Sequence, residues 1–159
     1  MGSVGLRPFV VYGPGRDQGM TSTPTVAILA AVAGVPYRIS FGGPVLFNFA
    51  ADAATAFVNA SRLSCEGAHL FNIPGTPAAI PELIAAVDAV VPGAADILTH
   101  SDDVLPAPSV VDDRNTELLF GTAGVTRLVD GVAQTVEVFR AGLRSGLLEP
   151  PPSAAAVAR

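Results

Sequence analysis

The residues best suited to chemistry lie near the start of the chain, in the run Gly13-Pro14-Gly15-Arg16-Asp17-Gln18-Gly19-Met20-Thr21-Ser22. The apolar run Leu6 to Tyr12 leads into it and reads as a buried strand of a parallel sheet. In open α/β sheets, ligands bind beyond the carboxyl ends of the strands. A polar loop at that point suits a polar substrate. Arg16 would face an anion or carbonyl, and Gln18, Thr21 and Ser22 would supply hydrogen bonds. The flanking glycines permit close backbone approach.

A phosphate loop is the obvious rival reading, and the residues argue against it. The glycines are spaced GxGxxxG rather than GxGxxG, and Pro14 removes one backbone N–H. No acidic residue lies about 20 positions on to hold a ribose. The next helix begins only near Pro24, too late to aim its N-terminus at a pyrophosphate held at Gly13. All nine basic residues are arginine, so a Walker loop and a Schiff-base lysine are both excluded within these residues. No metal site is expected: His69 and His100 are far apart and lack partners at ligand spacing. The Asp102-Asp103 and Asp112-Asp113 pairs sit in no EF-hand loop. There is no GxSxG elbow, and Cys65 is a single thiol in a turn.

Alternating strands and helices must position that loop, which makes the chain α/β. After it, Thr23-Pro24 is the expected N-cap and first residue of a helix whose face is carried by Val26, Leu29 and Ala33. Gly34 and Pro36 end it. Strands are expected at Tyr37 to Phe41 and Val45 to Phe49, then a helix from about Asp52 to Arg62. A strand at Leu70 to Ile73 precedes an amphipathic helix carrying Ile80, Leu83, Ile84 and Val87. Asp96 to Thr99 reads as a strand, Ser101 to Asp113 as a loop and Leu118 to Gly121 as a brief helix. A last helix carries Val129, Val132, Val136, Phe139 and Leu143, with Arg140 and Arg144 toward its end. Residues 1–148 form the expected folded part, and the Pro/Ala tail 149–159 is expected to be disordered.

Half of the 159 residues are hydrophobic and 14% are charged, far from a disordered composition. Mean hydropathy is +0.49, high for a free-standing domain, which reads either as a general Ala/Val-rich bias or as apolar surface that meets something further. Net charge is −5 with no basic cluster, so nucleic acid is not an expected partner. The longest apolar stretch, Thr25 to Val35, is too short to span a membrane, and no signal peptide is legible, so a cytoplasmic location is expected.

Four segments, in order, resemble the NAD-dependent epimerase/dehydratase family, the extended short-chain dehydrogenases/reductases. Leu6-Arg7-Pro8-Phe9-Val10-Val11-Tyr12-Gly13-Pro14-Gly15 resembles the family's "LRxxNVYGPG" strand. Phe47-Asn48-Phe49-Ala50-Ala51-Asp52-Ala53-Ala54-Thr55-Ala56-Phe57 resembles its "(R)DFxYVxDVAxAxx" segment. Leu70-Phe71-Asn72-Ile73-Pro74-Gly75 resembles "xFNIGxG", and Ile80-Pro81-Glu82-Leu83 the start of the helix that follows. The resemblance implies the C-terminal part of a Rossmann-like doubly wound sheet plus a small mixed α/β substrate-binding subdomain. It also implies NAD or NADP, with backbone groups of Pro8 and Phe9 beside the nicotinamide. Val10, Tyr12, Arg16, Gln18, Thr21, Ser22 and Asn48 would then lie on the substrate side. Strand Leu70 to Ile73 would pair alongside Leu6 to Tyr12.

Three departures shape the expected function. The family's Asn falls at Val10, and the Arg and Asp of its sugar-nucleotide members fall at Val45 and Leu46. A nucleoside diphosphate therefore has no planar cation there, which favours a smaller sugar derivative or related carbonyl or hydroxy compound. The family's glycine-rich loop and its Tyr-xxx-Lys acid/base pair both precede the segment matched here. No lysine occurs in this sequence, so no catalytic residue is assigned. The expected function is the substrate-binding part of an NAD(P)-dependent epimerase, dehydratase or reductase, truncated and inactive alone. The alternative is a non-catalytic module or subunit that completes the sheet of a partner chain. A missing N-terminal half or a homo-oligomer would be its macromolecular partner.

Overall fold

In the computed structural model, which describes residues 2–112, 116 and 125–152, the run expected as one strand is broken in two. β1 (Ser3–Arg7) and β2 (Val10–Tyr12) flank Pro8-Phe9 and join different sheets. Pro8 has no N–H to donate to a ladder, so pairing lapses there and resumes with a new partner. β1 runs parallel to β5 (Ala68–Asn72), with Leu6 opposite Phe71, as the sequence leads one to expect. β2 runs parallel to β4 (Pro44–Phe49), with Tyr12 opposite Phe49. β6 (Thr76–Ala79), not expected from the sequence, lies antiparallel on the far side of β4. β3 (Tyr37–Ile39) pairs parallel with β7 (Leu98–His100).

α1 (Thr23–Ala33) has Ser22 as its N-cap, one residue earlier than expected, and ends at Gly34 in the left-handed conformation. The face it buries is also not the expected one: Ala27, Ile28, Ala30 and Ala31 point inward, and Val26, Leu29 and Ala33 are only half-buried. α1 is apolar nearly all round, so its pattern carries no phase. α2 (Ala50–Ala60) follows β4 directly, with Asp52 in its first turn. α3 (Ile80–Val90) begins where the Glu82 carboxylate accepts the Ala79 N–H at 2.7 Å. The segment expected as strand Asp96 to Thr99 instead opens with one helical turn, α4 (Ala94–Ile97). The cause is local: Asp88 Oδ1 accepts the N–H groups of both Gly93 and Ala95 at 3.0 Å and folds the chain back. α5 (Leu128–Ser145) closes the fold, burying Leu128, Gly131, Val132, Thr135, Val136 and Phe139, while Val129 faces outward. The brief helix expected at Leu118 to Gly121, and the tail from 153 on, lie outside the described residues.

The main core joins α1, α3 and α5 to the inner faces of β2, β3 and β4. Tyr12, Phe41, Phe47, Ile28, Ile39 and Leu83 are its largest fully buried side chains. Each such side chain contributes about 1.5–3 kcal/mol when removed from water. The β1–β5 pair sits apart, backed by α2 through the small cluster Leu6, Ala53, Ala56 and Ile73.

Candidate functional site

The loop of residues 13–22 leaves the carboxyl end of β2 and returns at once into α1. Gly13 turns it with φ of 119°, a conformation closed to side chains, and an added Cβ would meet the Phe49 ring at 3.0 Å. The Gly13 N–H donates to Thr25 Oγ1 on α1 at 3.1 Å, pinning the loop's start to the helix it feeds. The Arg16 N–H donates to the Gly13 carbonyl at 3.1 Å, and the Ser22 N–H to the Gly19 carbonyl at 3.1 Å. The Arg16 guanidinium folds back across the loop, donating to the Gln18 carbonyl and, at 2.9 Å, to Thr21 Oγ1.

The structure thus brings Arg16 and Thr21 into contact and leaves Gln18 exposed beside them. Ser22 faces inward, buried, with its hydroxyl on the Gly19 carbonyl at 2.8 Å. Val10 and Tyr12 belong to the core. Tyr12 is wedged against Phe47 and Phe49, with ring centroids 5.8 and 5.5 Å away. Its hydroxyl makes a long bond of 3.4 Å to the Leu128 carbonyl. Burial first, then the negative charges of Asp52 and Asp130, push its phenol well above the ordinary tyrosine range.

Asn48 is 1% exposed, and its amide is fully engaged with the backbone. Its Oδ1 accepts the Phe9 N–H at 2.7 Å, and its Nδ2 donates to the Ile73 and Pro74 carbonyls at 3.2 and 2.9 Å. Pro8 is exposed and Phe9 half-buried, so the bend between β1 and β2 faces outward. Val45 and Leu46 are both buried in β4.

Two features escaped the sequence reading. The Asp52 carboxylate accepts the Thr126 N–H at 2.9 Å and the Thr126 hydroxyl at 2.8 Å, anchoring the entry to α5. Asp52 stood out in the sequence, but its partner lies 74 residues away. Gly131, inside α5, lies against Tyr12; a glycine inside a strong helical stripe was the available signal. Among the described residues, no group of three or more His, Cys, Asp or Glu is placed to hold a metal ion. His69 faces the Glu66 carbonyl and stacks on Phe71, and His100 faces the Ser101 carbonyl. Among the described residues no helix is long and apolar enough to cross a membrane.

Parallel strand pairs, one antiparallel pair and flanking helices make a mixed α/β framework of the Rossmann-like class, with a polar loop at a strand's carboxyl end. Solved structures share it. MoeE5 in complex with UDP-glucose and NAD superimposes with a TM-score of 0.69 at 23% identity, over 88% of this chain and 48% of that one. A partial-consensus L-threonine 3-dehydrogenase gives 0.71 at 21% identity, over 86% and 48%. The Thermus thermophilus UDP-glucose 4-epimerase in complex with NAD gives 0.63 at 21% identity, over 86% and 46%. The expected likeness to the NAD-dependent epimerase/dehydratase fold therefore holds, and the chain spans about half the length of these structures. No family model matches the chain, and a search of curated proteins found no match.

Proposed function

We propose that these residues form the substrate-side half of an NAD(P)-dependent epimerase, dehydratase or reductase acting on a small sugar derivative or related carbonyl or hydroxy compound. The observation that carries this reading is the loop 13–22. It is pre-shaped at a strand's carboxyl end, close in sequence to the outward bend at Pro8-Phe9. Arg16 meets an anionic or carbonyl group of the substrate, with Gln18 and Thr21 adding hydrogen bonds. Val10, Tyr12, Ser22 and Asn48 shape the site from behind, since their side chains are buried.

Three of the loop's N–H groups, at Gly13, Arg16 and Ser22, already have intramolecular acceptors and Pro14 has none to give, which counts against a pyrophosphate there. The bend at Pro8-Phe9 fits the nicotinamide end instead. With the Phe9 N–H committed to Asn48, carbonyl oxygens are the bend's means of holding a carboxamide. When bound, the cofactor supplies hydride transfer. These residues hold no Tyr-xxx-Lys pair, since the sequence has no lysine, and burial raises the Tyr12 phenol above its ordinary range. The chain by itself is therefore inactive and holds NAD(H) weakly. Calorimetry on the purified chain tests this: tight, stoichiometric NADH binding would overturn it.

A second reading, a non-catalytic subunit that completes a partner's sheet, is favoured by the β1 edge. Among the described residues β1 pairs only with β5. Beside it lies an open cleft of about 360 Å³ lined by Ser3, Val4, Leu6, Phe57, Leu63 and Cys65. Parallel sheets are normally covered on both faces, and an exposed strand edge is a template for pairing with another chain.

A further inference from the structure

We infer that Asn48 is a positioning residue for the nicotinamide side of the site, acting through the Pro8-Phe9 bend rather than on the substrate. This rests on the nicotinamide reading of that bend given above. Two backbone segments converge on its one buried amide. The first is the bend itself, whose Phe9 N–H is 2.7 Å from Oδ1. The second is the exit from β5, where Ile73 and Pro74 offer their carbonyls to Nδ2. Gly75, next in that segment, is packed so closely that an added Cβ would lie 2.7 Å from Nδ2 and 2.3 Å from the Phe47 carbonyl. The Ile73 N–H also reaches back to the Arg7 carbonyl at 3.0 Å, so the bend is tied on both sides of Pro8.

The chemistry of the junction calls for a primary amide. The Phe9 N–H needs an acceptor, and the Ile73 and Pro74 carbonyls need donors, all within reach of one side chain. Among uncharged side chains only the amides of Asn and Gln offer an acceptor together with two N–H donors, and Asn is the shorter of the two. In the β2–β4 register Asn48 stands opposite Val11, so it sits where the bend hands over to β2. A bend whose carbonyls must meet a carboxamide is sensitive to sub-ångström placement, and that placement is what the amide fixes.

The test uses the full chain labelled with ¹⁵N, titrated with NADH, with the amide resonances of Phe9 and Val10 followed by NMR. In Asn48→Asp the carboxylate still accepts from Phe9 but repels the Ile73 and Pro74 carbonyls. Once protonated, its O–H donates to one of them. The wild-type chain is expected to show saturable NADH shifts at Phe9 that do not depend on the ionisation of residue 48. Asn48→Asp is expected to bind about tenfold more weakly near neutral pH and to recover as its carboxyl protonates. Equal NADH affinity in both proteins across that range, with native circular dichroism, would overturn the positioning role. If NADH moves no amide of the wild type, the nicotinamide reading falls, and exchange of the Phe9 amide decides the rest. Faster Phe9 exchange in Asn48→Asp and in Asn48→Leu upholds the junction; unchanged exchange in a folded variant overturns it.

Discussion

Gly131 offers the sharpest test of the packing behind the loop. It is helical and interior to α5, where alanine is intrinsically favoured over glycine by about 1 kcal/mol. Propensity alone predicts that Gly131→Ala stabilises. The tertiary structure predicts the opposite. A Cβ at 131 would lie 2.1 Å from the Tyr12 hydroxyl, 3.0 Å from Cζ and 3.1 Å from the Phe49 ring. Tyr12 is 1% exposed and held between two phenylalanines, so its ring has nowhere to swing. Overpacking a close-packed core costs about 1–3 kcal/mol, and the immobile ring puts this site at the upper end. Against the helix gain, the net loss is about 2 kcal/mol, or roughly 4–8 °C in Tm for a chain of this size. Urea and thermal unfolding followed by circular dichroism measure it. Tyr12→Phe separates the causes by removing the hydroxyl oxygen that makes the worst contact. The double variant Gly131→Ala/Tyr12→Phe should regain about 1 kcal/mol of the loss, leaving the ring contact uncorrected. A Gly131→Ala protein as stable as wild type, or strictly additive effects, would refute the close approach of α5 to β2.

Asp52→Ala should cost about 1.5–3 kcal/mol, since it removes both bonds to Thr126 at the entry to α5, with the loss read from the shift in urea midpoint. Both tyrosines should resist ionisation in the folded state, because burial raises Tyr12 and, to a lesser degree, Tyr37. A folded phenol held above its unfolded value binds more protons than the unfolded one at alkaline pH, so stability falls as pH rises through the ordinary tyrosine value of about 10. Ultraviolet titration should show tyrosinate appearing together with the loss of helical signal, and not before it. Asp130, paired with Arg127 at 2.6 Å on the surface, has its carboxyl held below the usual range by that hydrogen bond and charge. Its small contribution is present above the unfolded aspartate value and is lost as pH falls through the lowered one; Arg127→Gln should move the Asp130 titration midpoint upward by NMR. Arg16→Ala should leave Tm nearly unchanged while speeding amide exchange through residues 16–22, because it removes the two bonds that fold the loop on itself.

Much of the fold was legible because its signals are local. Pro24 and Gly34 bracket α1, and the Ile80, Leu83, Val87 stripe marks α3. The Val132, Val136, Phe139 stripe does the same for α5. The loop 13–22 was legible for the same reason, as a change from apolar residues to Gly, Pro and polar ones at a strand's end. What the residues could not show locally was partnership. Whether Leu6 to Tyr12 is one strand or two depends on which strands flank it, and Pro8 decides that only once β5 and β4 are in place. The face of α1 was hidden because an almost wholly apolar helix carries no phase, and only packing against α5 and β3 selects one. Asn48, Asp52 and Gly131 were readable as an Asn in a strand, an Asp in a first turn and a Gly in a helix. Their roles came from Phe9, Thr126 and Tyr12, partners distant in sequence that no periodicity encodes. Residue order was enough to give most of the elements, the loop and the lack of a lysine for acid/base chemistry. It took the packed chain to put Arg16 and Thr21 on one loop surface, to bury Tyr12 in the core and to tie Asn48 to the Pro8-Phe9 bend. Burial and hydrogen-bond partnership arise only when distant segments meet, so no local pattern could carry them.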